Sequence, residues 1–435
     1  MYNYMVKLMK LKDKIINKIK NLDKKTIACI LFLLSIILFM LCSNHKFNAY
    51  NNYSYLAEAI LNGHLDVPTM PDYLESVTFM GHTYMHFAPG VAWLSLPFVL
   101  IFGISKFNCI YLAMVLGALN SSLAYLILEQ KKIGKCTRDR ILLSLMLTIG
   151  TVHFFCSTVG SSWFLGHVST MFFTLLSWYI MFKVTNKRDH KNNLYLFLSG
   201  LSFGLAVNCR LSALLGCVFL IYHIYKIYGF TLKPYLFFAG GAAVFGSIYM
   251  IYNYVRYGTI MDRGYNLTYL KDYHRDAYNA LLESPISEQK ALLKEYINEY
   301  GGPLQLKYIK YNLYSIFMMA PRFSWTFPYI IPEISGTAIT FTSPMLFAAV
   351  KAKRKDNYVI VLWITTILTA IPFLLNYGNG QAQFGMRYSL DFTPYLWLLM
   401  CIGLGKKKLS WLAIVGIVFC FIMNIYGTLY WIFNY

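Results

Sequence analysis

The chain has 435 residues, of which 57% are hydrophobic and 13% are charged, and it carries a formal net charge of +20. A soluble domain of this length could not cover so much apolar surface, so the composition excludes an ordinary soluble globular protein. Uncharged runs such as 26–43, 107–128 and 411–432 are close to or above the roughly 20 residues with which a helix crosses a bilayer. The sequence therefore predicts an all-α integral membrane protein with many crossings.

The excess positive charge lies in segments that the crossings place on one side of the membrane. These segments hold 26 of the 39 Lys and Arg residues but 6 of the 19 acidic residues. Such basic loops are typical of the cytoplasmic side, and attraction to anionic lipid headgroups explains the same residues without nucleic acid. We therefore predict membrane lipids, and no nucleic acid, as partners. The segments are 1–25, 129–140, 183–193, 226–233, 351–357 and 405–408.

In chain order, the basic segment 1–25 is interpreted as a cytoplasmic N-terminus, and a single polytopic domain follows over 26–435. No small-residue cleavage site follows the first apolar run, which predicts an uncleaved anchor. About eleven crossings are expected in the plasma membrane, with an extracytoplasmic C-terminus. Their approximate ranges are 26–43, 107–128, 141–158, 164–182, 194–208, 211–228, 235–254, 336–350, 358–376, 391–404 and 409–430.

One further apolar segment, 88–104, is not counted as a crossing. A crossing there would place every later basic loop on the opposite side of the membrane. The segment is at the short limit for a span and contains Pro89 and Pro97, which interrupt helices. It is expected to form an interfacial or re-entrant helix on the outer side.

Two long loops, 44–106 and 255–335, are predicted on the outer side, and each contains an amphipathic helix. The first helix covers about 50–62, and the second begins after Ser287 as its N-cap and ends at Gly301. A helix with one apolar face beside a membrane is expected to lie on the bilayer surface. The apolar positions are Tyr53, Leu56, Ala57, Ile60 and Leu61 in the first helix, and Leu292, Leu293, Tyr296, Ile297 and Tyr300 in the second.

The nine cysteines occur singly and form no CxxC pair. Paired spacing is the usual sequence sign of a zinc site or of a disulfide framework. The sequence therefore predicts neither a metal centre nor a disulfide scaffold.

Polar residues on the outer side cluster where helices meet the membrane interface, and a bundle can bring the clusters around one cavity. An arginine at that depth suits a phosphate, because its guanidinium offers a planar fork to two oxygens. Anchoring at headgroup level is the structural alternative. Phosphate binding is favoured for Arg210 and Arg387, while both interpretations stay open for Arg256 and Arg263. The clusters are 160–167, 208–210, 252–265 and 380–391.

Two carboxylates are candidates for a general base. Asp391 lies at the start of a crossing, where an unpaired charge is costly, so a partner is expected. A salt bridge to Arg387, one helical turn earlier, is the structural alternative to catalysis. Asp262 lies between turns with glycines and is freer to face a substrate. Further substrate-binding candidates are His86, Trp163, His167, Tyr265, Gln383 and Tyr388.

Four stretches carry a resemblance to a known family: 52–66, 81–90, 252–258 and 383–391. Together with the crossings they resemble the multi-spanning glycosyltransferases of the GT-C type, in a poorly described bacterial and archaeal branch, over about 26–404. The resemblance implies a bundle with surface helices in its outer loops. It also implies transfer of a sugar from a polyprenyl-phosphate donor to an acceptor on the outer face, with inversion expected.

The sequence departs from that family at one functional position. Members usually carry an aspartate just after the first span, where this chain has Asn51 and Asn52. A neutral amide cannot accept the proton of an acceptor hydroxyl. Asn52 is therefore retained as the matching position, with Asp262 as the first choice of base and Asp391 as the second. Many members recruit a divalent cation, but no ligand cluster here argues for one.

Three other functions stay open at this point. A polymerase or polymer ligase would share the same shape, and a non-catalytic glycolipid-binding protein would share the same site. A transporter or lipid flippase usually places polar sites near the bilayer midplane, often between two related halves. The sequence shows neither feature. It identifies neither the sugar nor the acceptor.

Overall fold

The computed structural model describes residues 22–68, 70–187, 189–353 and 356–435 of the chain. Most of these residues are helical, which confirms the predicted helical class. The predicted basic segment 1–25 falls largely outside the described residues, because the description begins at residue 22. Its separation from the domain 26–435 stays a prediction.

The helices of the described residues are numbered in chain order. The first nine are α1 (Lys24–Cys42), α2 (Asn52–Leu61), α3 (Gly90–Phe102), α4 (Cys109–Gln130), α5 (Thr137–Thr148), α6 (His153–Val159), α7 (Ser162–Met181), α8 (His190–Cys209) and α9 (Cys217–Tyr228). The others are α10 (Leu232–Tyr257), α11 (Gly264–Tyr273), α12 (Arg275–Glu283), α13 (Gln289–Tyr300), α14 (Ile309–Phe317), α15 (Ile339–Thr342), α16 (Asn357–Leu375), α17 (Thr393–Leu404) and α18 (Trp411–Asn434). Turns of 3₁₀-helix cover Leu211–Gly216, Leu306–Tyr308, Pro344–Lys351 and Arg387–Asp391.

Within the described residues, three small two-stranded sheets add to the helices, and the sequence analysis did not predict them. They are antiparallel β1 (Val77–Phe79) with β2 (His82–Tyr84), antiparallel β3 (Arg322–Phe323) with β4 (Ile330–Ile331), and parallel β5 (Ser335–Thr337) with β6 (Gln383–Gly385). Strands this short carry too little alternation to be read from a sequence dominated by apolar runs.

Seven helical segments of the described chain are long and apolar enough to cross a membrane, and an eighth is the bent pair α5 and α6. These two helices meet at an angle of 61°. The predicted crossing 336–350 is not one helix but β5, α15 and a 3₁₀ segment, and that at 391–404 has only the 12 residues of α17. The number of eleven crossings therefore stays a prediction.

The bundle has two distinct ends. At one end, which we call the loop face, Ser162 donates to the carbonyl of Tyr50 at 2.9 Å and Asn48 donates to the carbonyl of Val159 at 3.0 Å. At the other end, which we call the basic face, the N–H of Leu409 donates to Asp139 at 3.2 Å. The assignment of either face to the cytoplasm stays a prediction.

The two helices of the first loop pack on the bundle. Tyr53, Leu56 and Ala57 of α2 are buried in the main core. Segment 88–104 forms α3, whose 13 residues are too few for a span. The C-terminal turn of α3 leaves Leu100 and Ile101 each 70% exposed. An apolar turn left uncovered by protein agrees with the predicted interfacial position.

The second predicted surface helix, α13, does not present its apolar stripe to the bilayer. Leu293 is buried, and Leu292 and Ile297 pack beside it, in a separate core formed by β1, β2 and α11 to α13. The prediction was wrong because a second protein layer covers the stripe. The helix also begins after Glu288, with no side-chain cap, and not after Ser287.

Helices α8 and α10 approach each other closely through glycines. A Cβ atom at Gly200 would lie 2.0 Å from the carbonyl oxygen of Phe238, and one at Gly241 would lie 2.0 Å from that of Phe197. Small residues permit this backbone approach, which is typical of helix pairs in membranes. The close contact between the two helices fixes the position of Arg210, at the end of α8, relative to that of Arg256, near the end of α10.

The arrangement predicts which sites are accessible from outside an intact cell. Single cysteines that replace Lys106 and Tyr435, both exposed at the loop face, should react with a membrane-impermeant maleimide in a background without reactive thiols. A cysteine that replaces Lys132, exposed at the basic face, should react only after permeabilisation. External labelling at 132 in intact cells would contradict the predicted orientation.

Candidate active site at the loop face

A buried ion pair forms one wall of the site. Arg210 holds Asp391 with two hydrogen bonds, from Nε to Oδ1 at 3.0 Å and from Nη2 to Oδ2 at 3.1 Å. Nδ1 of His167 lies 3.2 Å from the same Oδ1. The side chain of Asp391 is only 3% exposed, whereas that of Arg210 is 20% exposed. The predicted partner of Asp391, Arg387, was therefore wrong: Arg210 reaches the carboxylate from another helix.

The side chain of Arg387 is held by neutral groups. Its Nη1 donates to Oε1 of Gln383 at 3.1 Å and to the carbonyl of Gln381 at 3.3 Å. Among the residues that the structure describes, no carboxylate lies within ion-pair distance of it. The backbone passes so close that a Cβ at Gly380 would lie 2.8 Å from the guanidinium carbon. The positive charge of Arg387 is thus buried but not neutralised.

Tyr388 contacts both guanidinium groups. Its ring centroid is 5.4 Å from the guanidinium carbon of Arg210 and 5.0 Å from that of Arg387. The ring also stacks on Phe373 at 4.9 Å, with an interplanar angle of 14°. An aromatic ring attracts cations, so Tyr388 holds both arginines at one place in the wall.

A carboxylate that the sequence analysis did not single out, Glu75, lies opposite this wall. Three predicted site residues converge on it. Asn52 donates to its backbone carbonyl at 3.1 Å, Nε2 of His86 lies 3.6 Å from its Oε2, and the Trp163 side chain donates a hydrogen bond to its carboxylate. Its side chain is 46% exposed. The carboxylate is therefore positioned by protein and still open to a substrate.

The protonation of the groups around Glu75 follows from their surroundings. Partial burial raises the pKa of Glu75, and the bond from Trp163 and the charges of Arg387 and Lys271 offset this only in part. Burial lowers the pKa of His86 to about 4, so at neutral pH its imidazole is uncharged. His86 therefore lies beside Glu75 without contributing a positive charge.

A second carboxylate, Asp272 on α11, stands near Glu75. Tyr377 donates to its Oδ2 at 3.1 Å. Burial raises the pKa of Asp272 most, and the charge of Glu75 raises it further. In the described part of the chain, no group of three or more His, Cys, Asp or Glu residues could hold a metal ion.

Tyr265, at the start of α11, completes the border of the site. Its ring edge faces His86 at a centroid distance of 5.2 Å, and it is 37% exposed. Electrostatic interactions connect Tyr265 with both Glu75 and Arg210. We call the space bordered by Glu75, Trp163, Arg210, Tyr265 and Tyr388 the cleft.

The structure gives Asp262 a local structural contact on each oxygen. Oδ1 accepts from the N–H of Gly264 at 2.8 Å, at the start of α11, and Oδ2 accepts from the hydroxyl of Tyr249 at 2.7 Å. Both bonds connect Asp262 to the junction of α10 and α11, which indicates a structural contribution. The assignment of Asp262 as base stays a prediction, but its geometry favours Glu75 instead.

Arg256 is enclosed by aromatic rings. Its guanidinium carbon lies 3.7 Å from the centroid of Tyr252 and 4.5 Å from that of Tyr257. Nη1 donates to the carbonyl of Met85 at 2.8 Å, and the residue is 2% exposed. We interpret Arg256 as a clamp between α10 and the segment that carries His86.

Two remaining predicted residues have different surroundings. Gln383 is fully buried in β6, where its amide bridges the carbonyls of Ser335 and Asn379, at 2.8 and 3.0 Å, and accepts from Arg387. It positions Arg387 and has no access to a ligand. Arg263 is half-buried immediately before α11.

The solved structures that are similar to this chain include the following two. One is the oligosaccharyltransferase of Archaeoglobus fulgidus tethered with an acceptor peptide containing the NVT sequon, at 12% identity and a TM-score of 0.46, over 94% of this chain and 54% of that one. The other is ArnT from Cupriavidus metallidurans bound to undecaprenyl phosphate, at 12% identity and a TM-score of 0.47, over 88% of this chain and 60% of that one. Both are of the GT-C type that the motifs resemble.

The chain thus spans 54% and 60% of the length of these two proteins. No protein-family model and no curated protein matches it. At such identities and scores the likeness supports no conclusion about function, which has to rest on the residues of the cleft.

The ion pair generates a prediction about stability. Asp391→Asn should leave the guanidinium of Arg210 half-buried without its counter-charge, and breaking one side of a buried pair costs about 3–5 kcal/mol. The melting temperature in detergent should fall clearly. The double variant Arg210→Gln/Asp391→Asn should recover much of the loss, because it removes the charge that had been left unpaired. Equal melting of Asp391→Asn and wild type would contradict this account.

Proposed function

We propose that the protein is a glycosyltransferase that moves a sugar from a polyprenyl-phosphate donor to an acceptor hydroxyl in the cleft, with Glu75 as general base. One observation carries this proposal: the half-exposed carboxylate of Glu75 borders the cleft opposite Arg210 and Tyr388, and it feels the charge of Arg387, which lies buried beside Tyr388 with no carboxylate partner among the described residues. A proton acceptor and an anion holder in one open space are the two groups that this reaction needs.

The properties of Glu75 suit a general base. A base works best when its pKa lies near the operating pH, and a carboxyl group reaches this range when burial raises its pKa. The pKa of Glu75 is raised in this way. Asn52 holds the backbone of Glu75 at 3.1 Å, so the position that usually carries the family's aspartate acts here through a neighbouring carboxylate. Glu75 would thus supply the carboxylate that the chain lacks at Asn51 and Asn52.

The side of the site formed by Arg210, Arg387 and Tyr388, which we call the arginine wall, suits the phosphate leaving group. Glu75 takes the proton of the acceptor hydroxyl, and the acceptor oxygen forms a bond to the anomeric carbon. The bond from that carbon to the phosphate oxygen breaks, and its electron pair leaves with the phosphate. Arg387 stabilises this developing charge, and Arg210, which contacts the same Tyr388 ring, adds to the stabilisation. A single displacement of this kind inverts the anomeric configuration.

The class of donor follows from the position of the cleft. The cleft lies at the loop-face end of apolar helices, where the phosphate of a lipid-linked sugar would stand at the membrane surface with its tail among lipids. The motif resemblance supports the same class. Enzymes of that type often use a divalent cation. Glu75 and Asp272, whose charges interact, are the carboxylates that would hold such an ion, and no step above passes through a metal.

The role of Glu75 can be tested by substitution with an isosteric amide. Glu75→Gln should lower the transfer rate about 10²–10⁴-fold, because it removes the proton acceptor. Donor affinity should stay nearly unchanged. Transfer can be measured with a radiolabelled polyprenyl-phosphate sugar and membranes of the source cells as acceptor. Asp262→Asn is the matched control and should retain most of the rate.

Two further readouts separate catalysis from folding. The wild-type rate should rise with pH through a pKa above the ordinary value for Glu, since only the ionised form is active. A raised folded-state pKa means that protonation stabilises the protein, and this stability is lost as pH rises through that pKa. Glu75→Gln should therefore melt no lower than wild type at neutral pH. Full transfer by Glu75→Gln, with loss in Asp262→Asn, would assign the base to Asp262.

The role of Arg387 can be tested by ligand binding. Arg387→Ala should weaken the affinity for a polyprenyl phosphate by about 2 kcal/mol, which is typical of a lost hydrogen bond to a charged group. Arg275→Ala, which removes an exposed charge on α12, is the control and should bind like wild type. Titration in detergent by microscale thermophoresis measures both. Unchanged affinity of Arg387→Ala would exclude this residue as the phosphate holder.

A further inference from the structure

A hairpin at the loop face carries an unusual set of exposed aromatic side chains. Strands β3 and β4 pair Arg322 with Ile331 and Phe323 with Ile330, and the turn between them is closed by a hydrogen bond of 2.8 Å from Ser324 to Tyr329. We call residues 322–331 the aromatic hairpin. Trp325 at its tip is 101% exposed, and the neighbouring aromatic residues Phe323, Phe327 and Tyr329 are 74%, 83% and 58% exposed.

The hairpin is attached to the side of α18. The hydroxyl of Tyr426 donates to the carbonyls of Pro328 and Ile330. Tyr426 lies eight residues before the end of α18 at Asn434, which corresponds to about 12 Å along the helix axis. The hairpin thus contacts the helix below its loop-face end, alongside the apolar part of the span.

The helix face to which the hairpin is attached is also exposed and apolar. Val415, Phe419 and Ile422 are 52%, 45% and 58% exposed, and they precede Tyr426 at spacings of three or four residues. Residues at this spacing share one face of a helix. A large apolar face on a membrane-spanning helix that no described protein group covers is a face for lipid. The hairpin therefore continues a lipid-facing stripe.

We propose that the aromatic hairpin inserts into the headgroup and upper acyl region of the loop-face leaflet. Aromatic side chains concentrate at this level of a bilayer. Arg322 is the one charged residue among 322–331, and it lies at the start of the hairpin, where its side chain can reach phosphates. Backbone N–H and C=O groups need hydrogen-bond partners when they enter an apolar environment. In the hairpin, the β3–β4 ladder and the hydroxyl of Tyr426 supply such partners.

A site-directed fluorophore can test the depth of the hairpin. Trp325→Cys, labelled with an environment-sensitive nitrobenzoxadiazole in nanodiscs of phosphatidylcholine and phosphatidylglycerol, should show blue-shifted emission. A lipid with a doxyl group near the top of its acyl chain should quench it severalfold more than the unlabelled lipid, and iodide should quench it weakly. Lys294→Cys, exposed on α13, is the control and should respond to iodide but not to the doxyl lipid.

Each outcome decides the proposal. Doxyl quenching at 325 together with an unchanged melting temperature supports it, because Trp325 makes no contact on which the fold depends. Iodide quenching at 325 equal to that at 294, without doxyl quenching, overturns it. Protection from both quenchers would place the tip against protein and would overturn it as well. Thr326→Cys, next to the tip, repeats the measurement where a tryptophan is retained.

Discussion

A carboxylate enclosed by apolar helices requires a nearby positive charge, and in this protein Arg210 supplies it to Asp391. The two residues lie on different segments, since Arg210 follows α8 and Asp391 ends the 3₁₀ turn before α17. His167 adds a contact from α7. One pair thereby joins three parts of the bundle at the loop face. The positions of Tyr388 and Arg387, in the same 3₁₀ turn, follow from this connection, and so does the shape of the arginine wall.

The opposite side of the cleft is built in another way. Glu75 belongs to a loop without regular structure, and its position depends on Asn52, His86 and Trp163. The arginine wall is part of the packed helices, whereas the carboxylate is carried by the layer above them. Close contact between α8 and α10 fixes the two sides of the cleft relative to each other, because Arg256 near the end of α10 binds the segment that contains His86. The cleft thus combines an anion side built from packed helices with a base side carried by a loop.

The helical class could be predicted because long uncharged runs have few alternatives in water or lipid. Several candidate site residues were chosen from their positions at helix ends, and their roles stay predictions. The pairing of Asp391 was predicted wrongly, since local spacing favours Arg387 and cannot reveal a partner 181 residues away. Glu75 was missed for a related reason: its loop has no periodicity, and its importance arises only from contacts with three distant residues. The apolar stripe of α13 was assigned to the bilayer because the sequence does not show the protein layer that covers it.

The distance in sequence between Arg210 and Asp391 has a consequence for biosynthesis. A ribosome that has just completed α8 has made the arginine, but the aspartate is 181 residues from it. While α9, α10 and α16 are inserted, the guanidinium has no access to its eventual counter-ion, and anionic lipid headgroups or water must solvate it. The loop-face cleft can close only when the last part of the chain enters the membrane. Nascent chains that end before residue 391 would therefore be membrane-inserted but still without a formed cleft, and thus exposed to quality control.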